Sequence, residues 1–376
     1  MTLSPLDDLP VHQIAQPMLH VGSSDRNFYD RYYFCGHPCS DEIFFVFGMG
    51  QYPNLSVQDG FLAVLYDGRY RVVRASRRLG DDRTDTTVGP LRVEVLEGLR
   101  RLRVVVEPNE WGIEADLTWE GSVPAHQEPQ HVIRSHGRLV FDSCRLAQVG
   151  SWSGRLVVDD AVFDVVPERW WGARDRSWGI RPVGEAEPPG IRAGDEPQFW
   201  WIYAPIRFED GALYFIVQER PDGSRILESA VRSQPFADGG EPESLGSPGY
   251  DLECEAGTRN VWQARLRALT ASGEPVEVTA TPLLRMHIGI GAGYGFDPDW
   301  RHGMYQGELV VQGVSWDLRT EEGRAAMWGI VDSVARFERS DGAIGFGLLE
   351  YLLLGPHERF GLKGFDDGFA GNKPGE

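Results

Sequence analysis

The chain has 376 residues, 37 Lys+Arg against 56 Asp+Glu, a formal net charge of −19 and a sequence pI near 4.9. Lys363 and Lys373 are the only lysines, which leaves 35 arginines, planar cations suited to pairing with carboxylates inside a protein rather than to forming a mobile basic tail. This balance excludes nucleic acid and anionic membrane surfaces as partners.

The opening MTLSPLDDLP has no basic stretch followed by an apolar one, and no later run approaches the ~20 apolar residues of a membrane span. A soluble, cytoplasmic protein without membrane insertion is expected. Four cysteines, Cys35, Cys39, Cys144 and Cys254, are too few for a disulfide framework and read as reduced thiols. With 45 Gly, 24 Pro, 12 Trp, 12 Tyr and 18 Phe, the composition is one of turns and aromatic strands.

Strand-length alternating or aromatic runs follow in order: EIFFVFGM at 42–49, FLAVLY at 61–66, RYRVVRASRR at 69–78, LRVEVLE at 91–97 and LRVVVEP at 102–108. They continue through GIEADLTW, GRLVVDDAVFDVV, FWWIYAPIRF, GALYFIVQE, VWQARLRALT, VEVTATPLL, GELVVQGVSWDL and GAIGFGLLEYLLL. No amphipathic helix beyond about three turns fits the 3.6-residue template. Many short antiparallel strands predict barrels or sandwiches.

An internal repeat organises the chain. Residues 150–165 lie over 303–318, with Gly150/Gly303, Gly154/Gly307, Leu156/Leu309, Val157/Val310, Val158/Val311 and Asp164/Asp317 identical. Trp178-Gly179-Ile180 then falls over Trp328-Gly329-Ile330, and Asp210-Gly211-Ala212 over Asp341-Gly342-Ala343, which brings Glu219 over Glu350. The expectation is two related all-β units, residues 1–220 and 221–376. A Pro/Gly/acid-rich insertion at 182–198 reads as an exposed loop beside any shared cavity. The tail from Gly364 reads as frayed.

Trp170-Trp171-Gly172-Ala173-Arg174-Asp175-Arg176-Ser177-Trp178-Gly179 packs three indoles, two guanidinium groups and one carboxylate into ten residues, as expected where a charge is held beside π-rich surface. The second copy keeps the Trp-Gly frame and Arg324, but carries Ala325, Ala326 and Met327 in place of Asp175, Arg176 and Ser177. Functional and structural roles for Asp175 are both open on the sequence. If the segment is extended, Arg174 and Arg176 point away from the face Asp175 uses, and burial raises the carboxyl's proton affinity. If it is a turn, an arginine folds onto the carboxylate and keeps it ionised.

This run, set after a GxLxVD hairpin in a duplicated all-β chain, resembles the W-x-D-H-x-W-G region of the AttH-like family, which includes carotenoid 1,2-hydratases and kievitone hydratase. The resemblance implies two lipocalin-like β-domains, an apolar cavity for isoprenoid-type substrates, hydratase or cyclase activity, and no metal or organic cofactor. Asp175 stands where the family has its acidic residue, and Trp178-Gly179 match the trailing Trp-Gly. The family's His is Arg176 here, which removes an imidazole relay.

The expected function is therefore cofactor-independent addition or removal of water on a hydrophobic, isoprenoid-like small molecule, with isomerisation or cyclisation as variants and a non-catalytic carrier as the rival. Asp175 would move the proton, Arg176 would orient a polar substrate end, and Trp170 or Trp171 with Trp178 would exclude water and stabilise cationic charge. Glu350 enters the apolar Leu352-Leu353-Leu354 run and is a second carboxylate candidate. Arg174, Tyr203 and Tyr305 are further candidate substrate contacts, while core packing is the ordinary role of a strand aromatic. A β-rich interaction module without a cavity is a third class. Oligomeric state is not legible.

Other strings carry no chemistry. The glycines of HIGIGAGYGFDPDW are followed by Asp-Pro-Asp rather than a helix, which removes a dinucleotide site. His126, His131 and His136, five residues apart, do not converge on one metal. Cys35-Gly36-His37-Pro38-Cys39 has no second cluster and reads as a solvent-facing turn. GSWSG at 150–154 has Trp152 where a nucleophile would stand.

Overall fold

The computed structural model describes residue 6 and residues 11–187, 198–238 and 242–371. In chain order the strands are β1 (Phe28–Gly36), β2 (Ile43–Tyr52), β3 (Val57–Tyr66), β4 (Arg69–Arg78), β5 (Thr87–Val88), β6 (Leu91–Glu97), β7 (Arg101–Val106), β8 (Ile113–Gly121), β9 (His126–Gln127), β10 (His131–Ser135), β11 (Arg138–Val158) and β12 (Ala161–Val165). There follow β13 (Trp171–Ile180), β14 (Phe199–Phe208), β15 (Gly211–Glu219), β16 (Arg225–Ser233), β17 (Glu243–Ser244), β18 (Gly249–Cys254), β19 (Val261–Leu269), β20 (Pro275–Met286), β21 (Leu309–Asp317), β22 (Val331–Arg339) and β23 (Ile344–Leu354). One short α-helix, α1 (Glu321–Ala325), and three single 3-10 turns interrupt the all-β pattern among the described residues. No helix among them is long and apolar enough to cross a membrane.

The strands form two antiparallel sheets. One runs β21-β4-β3-β2-β1-β13-β11-β8-β7-β6-β5, with β9, β10 and β12 also paired to β11; the other runs β17-β16-β15-β14-β23-β22-β20-β19-β18. The first curls into a nearly closed barrel and the second into a half-barrel, giving two lipocalin-like domains. Each has its own apolar interior, the first around Phe34, Phe45, Phe47, Trp119 and Trp152, the second around Trp200, Phe215, Tyr250 and Phe337. A third apolar layer lies between the sheets and draws Tyr33, Ala147 and Ala173 from one, Trp201, Tyr203, Val334 and Leu348 from the other.

The sheets change over between Ile180 and Phe199, ahead of the 220/221 unit boundary, and β21 returns from the C-terminal half to pair with β4. The aligned copies accordingly occupy unlike places. Residues 150–165 form the β11–β12 hairpin, whereas 309–317 is an edge strand of the same sheet. Trp178-Gly179-Ile180 lies in β13, and Trp328-Gly329-Ile330 in an irregular link before β22. Only the Asp-Gly hairpins β14–β15 and β22–β23 match in form, and they sit side by side through the β14–β23 ladder. Of the 182–198 insertion, residues 188–197 lie outside the described residues, as does the end of the tail.

Two local expectations are corrected. Cys35-Gly36-His37 is not a solvent-facing turn: Cys35 and His37 are fully buried, and His37 pairs through its backbone with Trp171, because the end of β1 is covered by the layer between the sheets, to which Cys35 belongs. Phe369 does not fray with the tail but packs on the second core beside Phe360.

The Trp170-Trp171-Gly172 triplet shows how strand alternation builds the layers. Trp170 turns into the first barrel beside Phe45, and Trp171 turns towards the second sheet beside Phe346. Gly172 lies against β1, where a Cβ would meet the Cys35 carbonyl oxygen at 2.0 Å. Trp152 anchors the same spot. It is fully buried, packs edge-on to Trp119 at 5.1 Å, and its Nε1 donates to the Cys35 carbonyl at 2.9 Å. Trp152→Ala removes both ring and donor, so chemical denaturation should show a loss of about 3–5 kcal/mol.

Candidate active site

Strand β13 is extended through the Arg-Asp-Arg run, so its side chains alternate. Asp175 shares a face with Ala173 and Ser177 and points between the sheets; Arg174 and Arg176 point to the opposite side. Asp175 sits between Tyr33 of β1 and Ala147 of β11 in the ladder. Arg145, two residues before Ala147, lies on the same face. The second sheet brings Glu350 of β23 opposite Tyr203 on one flank and opposite Asp332 of β22 on the other.

Four carboxyl groups thus meet at the junction, Asp175, Glu128, Asp332 and Glu350, with Arg145 as the cation among them. Arg145 is ion-paired to Glu128, and its guanidinium lies 4.4 Å from the ring centre of Tyr203 and 5.2 Å from that of Trp201. The Trp201 Nε1–H donates to Glu350 at 2.5 Å. The Tyr33 hydroxyl donates across the junction to Asp332, whose other oxygen is buried without a partner. His131 stacks on Trp201 with ring centres 6.1 Å apart, and burial followed by the nearby Arg145 charge pushes it down to about 4, so it is neutral.

Burial dominates the proton affinities. It pushes Asp175 up to about 6 against the opposing pull of Arg145. Glu350 is pushed up to about 7 by burial, although Arg145 and the Trp201 bond oppose it. Asp332 rises well above the carboxylate range through burial and the adjacent Glu350, so the Asp332–Glu350 pair holds a proton at neutral pH. The carboxyl of Asp175 makes no hydrogen bond with the described residues and keeps partial exposure. Around the same layer Phe199, Leu283, Leu284, Met327, Ile330 and Leu352 are only partly buried.

Residues 3–363 match the model of a family of unknown function, DUF8625. The chain belongs to that family. No curated protein matches the chain in sequence. Among solved structures, the DUF8625 chain is similar to a protein assigned as an AttH from Nitrosomonas europaea, at 16% identity and a TM-score of 0.55 over 91% of this chain and 97% of that one. It is also similar to kievitone hydratase from Nectria haematococca, at 12% identity and a TM-score of 0.49 over 94% and 96% of the two chains. CghA gives 12% identity and 0.49 over 88% and 89%. The AttH likeness shows that the DUF8625 chain has the AttH-like fold.

Within that fold, Asp175, Glu350 and Tyr203 are brought together at the junction. Arg176 is not with them: it is ion-paired to Asp30 and lies 4.2 Å from the centre of the Tyr32 ring, on the other side of β13. Arg174 likewise faces away and donates to the Gln148 amide oxygen at 2.7 Å. Trp170 belongs to the first barrel's core, and Trp178, on the Arg174 face, is 37% exposed. Trp171 shares the face of Asp175 but lies four residues away, about 13 Å along the strand, where Arg207 covers its ring at 4.1 Å. Tyr305 is exposed and bonded to Glu308.

Arg145, Glu128, Asp332 and Tyr33 were not singled out by the sequence, and Trp201 was legible only as one of several strand aromatics able to line a pocket. Glu128 and Arg145 sit in segments whose burial pattern is set by the opposite sheet, and Asp332 stands at a strand start where a solvated acid is ordinary.

An acid whose proton affinity is raised on folding stabilises the fold below its unfolded value, and that contribution is lost as pH rises through its folded value. For Asp175 the window runs from about 4 to about 6. Asp175→Asn lacks this titration. Its stability relative to the parent chain should increase by about 1–3 kcal/mol between pH 4 and pH 8 in denaturant titrations.

Proposed function

We propose that the protein is a cofactor-independent hydratase or dehydratase acting on an apolar, isoprenoid-like molecule at the junction of its two sheets. The observation that carries the reading is that Asp175 of one sheet and Glu350 of the other meet at the junction in different surroundings, both with proton affinities raised by burial. Two such groups in separate environments are what acid–base chemistry at neutral pH requires.

In the dehydration direction, protonated Glu350 gives its proton to the departing hydroxyl, which leaves as water. Ionised Asp175 takes a proton from the adjacent carbon, and the released C–H electron pair becomes the double bond. Hydration reverses both transfers. Tyr33, beside Asp175 in the ladder, offers its ring to positive charge developing on carbon, while Arg145 is ion-paired to Glu128 and lies against the Tyr203 and Trp201 rings. The half-buried Phe199, Leu283, Leu284 and Met327 support an apolar substrate. A carrier would need none of the four junction carboxyls, three of which are buried at a cost in stability.

Incubating the purified protein with terpenoid alcohols, alkenes and sterols, followed by mass spectrometry, should reveal a product differing from its precursor by one water. Asp175→Asn should lower that turnover by about 10²–10⁴-fold with the fold intact by circular dichroism. Full turnover in Asp175→Asn, or recovery of every compound unchanged, contradicts the proposal.

A further inference from the structure

The other face of β13 opens on a separate cleft of about 260 Å³ at the end of the first barrel. Its walls include Met18, Asp30, Tyr32, Met49, Arg83 and Arg176. Arg176, unused by the junction site, supplies its charge together with Arg83. Both guanidinium groups share one carboxylate: Arg83 Nη2 donates to Asp30 Oδ2 at 3.1 Å, and Arg176 bonds to Oδ1. Among the described lining residues this leaves an excess of one positive charge. Arg174, on the same face of β13, adds to it, since its Nε bonds only to the neutral Gln148 amide and its Nη2 is buried without a partner.

In a chain of net charge −19 a cleft lined by two guanidinium groups and one carboxylate is a local excess of cations. The side chains of Arg83, Arg176 and Asp30 are 15%, 24% and 21% exposed, reachable but mostly withdrawn from water. An incoming anion would meet charge-assisted donors in a medium of low dielectric constant. The remaining wall is mixed, with Met18, Met49 and the Tyr32 ring as its apolar part beside Gln51 and Thr86. At its size the cleft falls just below the ~300–1,000 Å³ of sites for drug-sized ligands, which restricts it to a small guest.

We propose that this cleft binds a small apolar carboxylate of the short-chain fatty-acid class, its carboxylate on Arg83 and Arg176 and its chain against Met18, Tyr32 and Met49. The site does not depend on the reading of the junction, because β13 separates Arg176 from Asp175. Asp30 occupies the guanidinium pair when the cleft is empty and competes with the guest.

Isothermal titration calorimetry of the full chain with sodium hexanoate, and with hexan-1-ol as the neutral counterpart, tests this. Hexanoate should bind saturably at one site, and hexan-1-ol at least about tenfold more weakly, as expected for loss of a charge-assisted bond. Arg83→Gln should weaken hexanoate by about tenfold, whereas Asp30→Asn, which frees both guanidinium groups, should tighten it by at least about threefold. Asp175→Asn should leave hexanoate affinity unchanged. No saturable binding to the parent chain overturns the proposal, as does equal affinity for the alcohol. Hexanoate affinity unaltered in both Arg83→Gln and Asp30→Asn places the guest elsewhere and also overturns it.

Discussion

The side-chain alternation of one strand sorts the charges of this molecule. Along β13 the sequence Arg174-Asp175-Arg176 puts two cations on one face and an anion on the other, with a single layer of backbone between them. Coulomb attraction between neighbours in sequence would bring them together in a turn, and the extended ladder to β1 and β11 on either side prevents it. Each charge must then find its partners in the layer it faces. The arginines find Asp30 and Gln148 inside the barrel, and Asp175 enters a layer shared with the second sheet.

That layer is expensive to assemble. Burying a carboxyl disfavours its charged form, and four of them around one guanidinium cannot all be neutralised by pairing. The fold resolves the conflict in three ways: the Arg145–Glu128 ion pair, the Tyr33 and Trp201 donors to Asp332 and Glu350, and protons retained on the carboxyls themselves. By contrast, Glu219, the repeat mate of Glu350, is saturated by Tyr250, His357 and Arg225 within the second domain, and burial there is outweighed so that its proton affinity falls. The same residue type at matching hairpin positions thus serves as an anchor in one setting and an acid near neutrality in the other.

Much of the fold was legible because the signals are local. The Gly- and Asp-bounded runs at 61–66, 69–78, 91–97, 199–208 and 211–219 coincide with or lie within strands, since period-two burial and turn residues are properties of short segments. Asp175 and Glu350 were also legible, as charged residues in aromatic or apolar surroundings. The 21-residue β11 was not, because it pairs with five other strands along its length and its burial pattern changes with them. The other site residues were missed for a related reason. Nothing near Arg145 distinguishes it from the remaining arginines, and its role exists only once the second sheet supplies Tyr203 and Trp201. β21 joins the first sheet and β22 the second despite their closeness in sequence, so the aligned segments occupy unlike places.

Carboxyl carbon NMR across a pH titration, with ¹³C-labelled aspartate and glutamate, observes the sheltered acids directly. The account predicts two carboxyls titrating near 6 and 7, the first absent in Asp175→Asn and the second absent in Glu350→Gln. Every carboxyl titrating in the ordinary range of about 3–5 would contradict the sheltered acid–base pair on which the site is built.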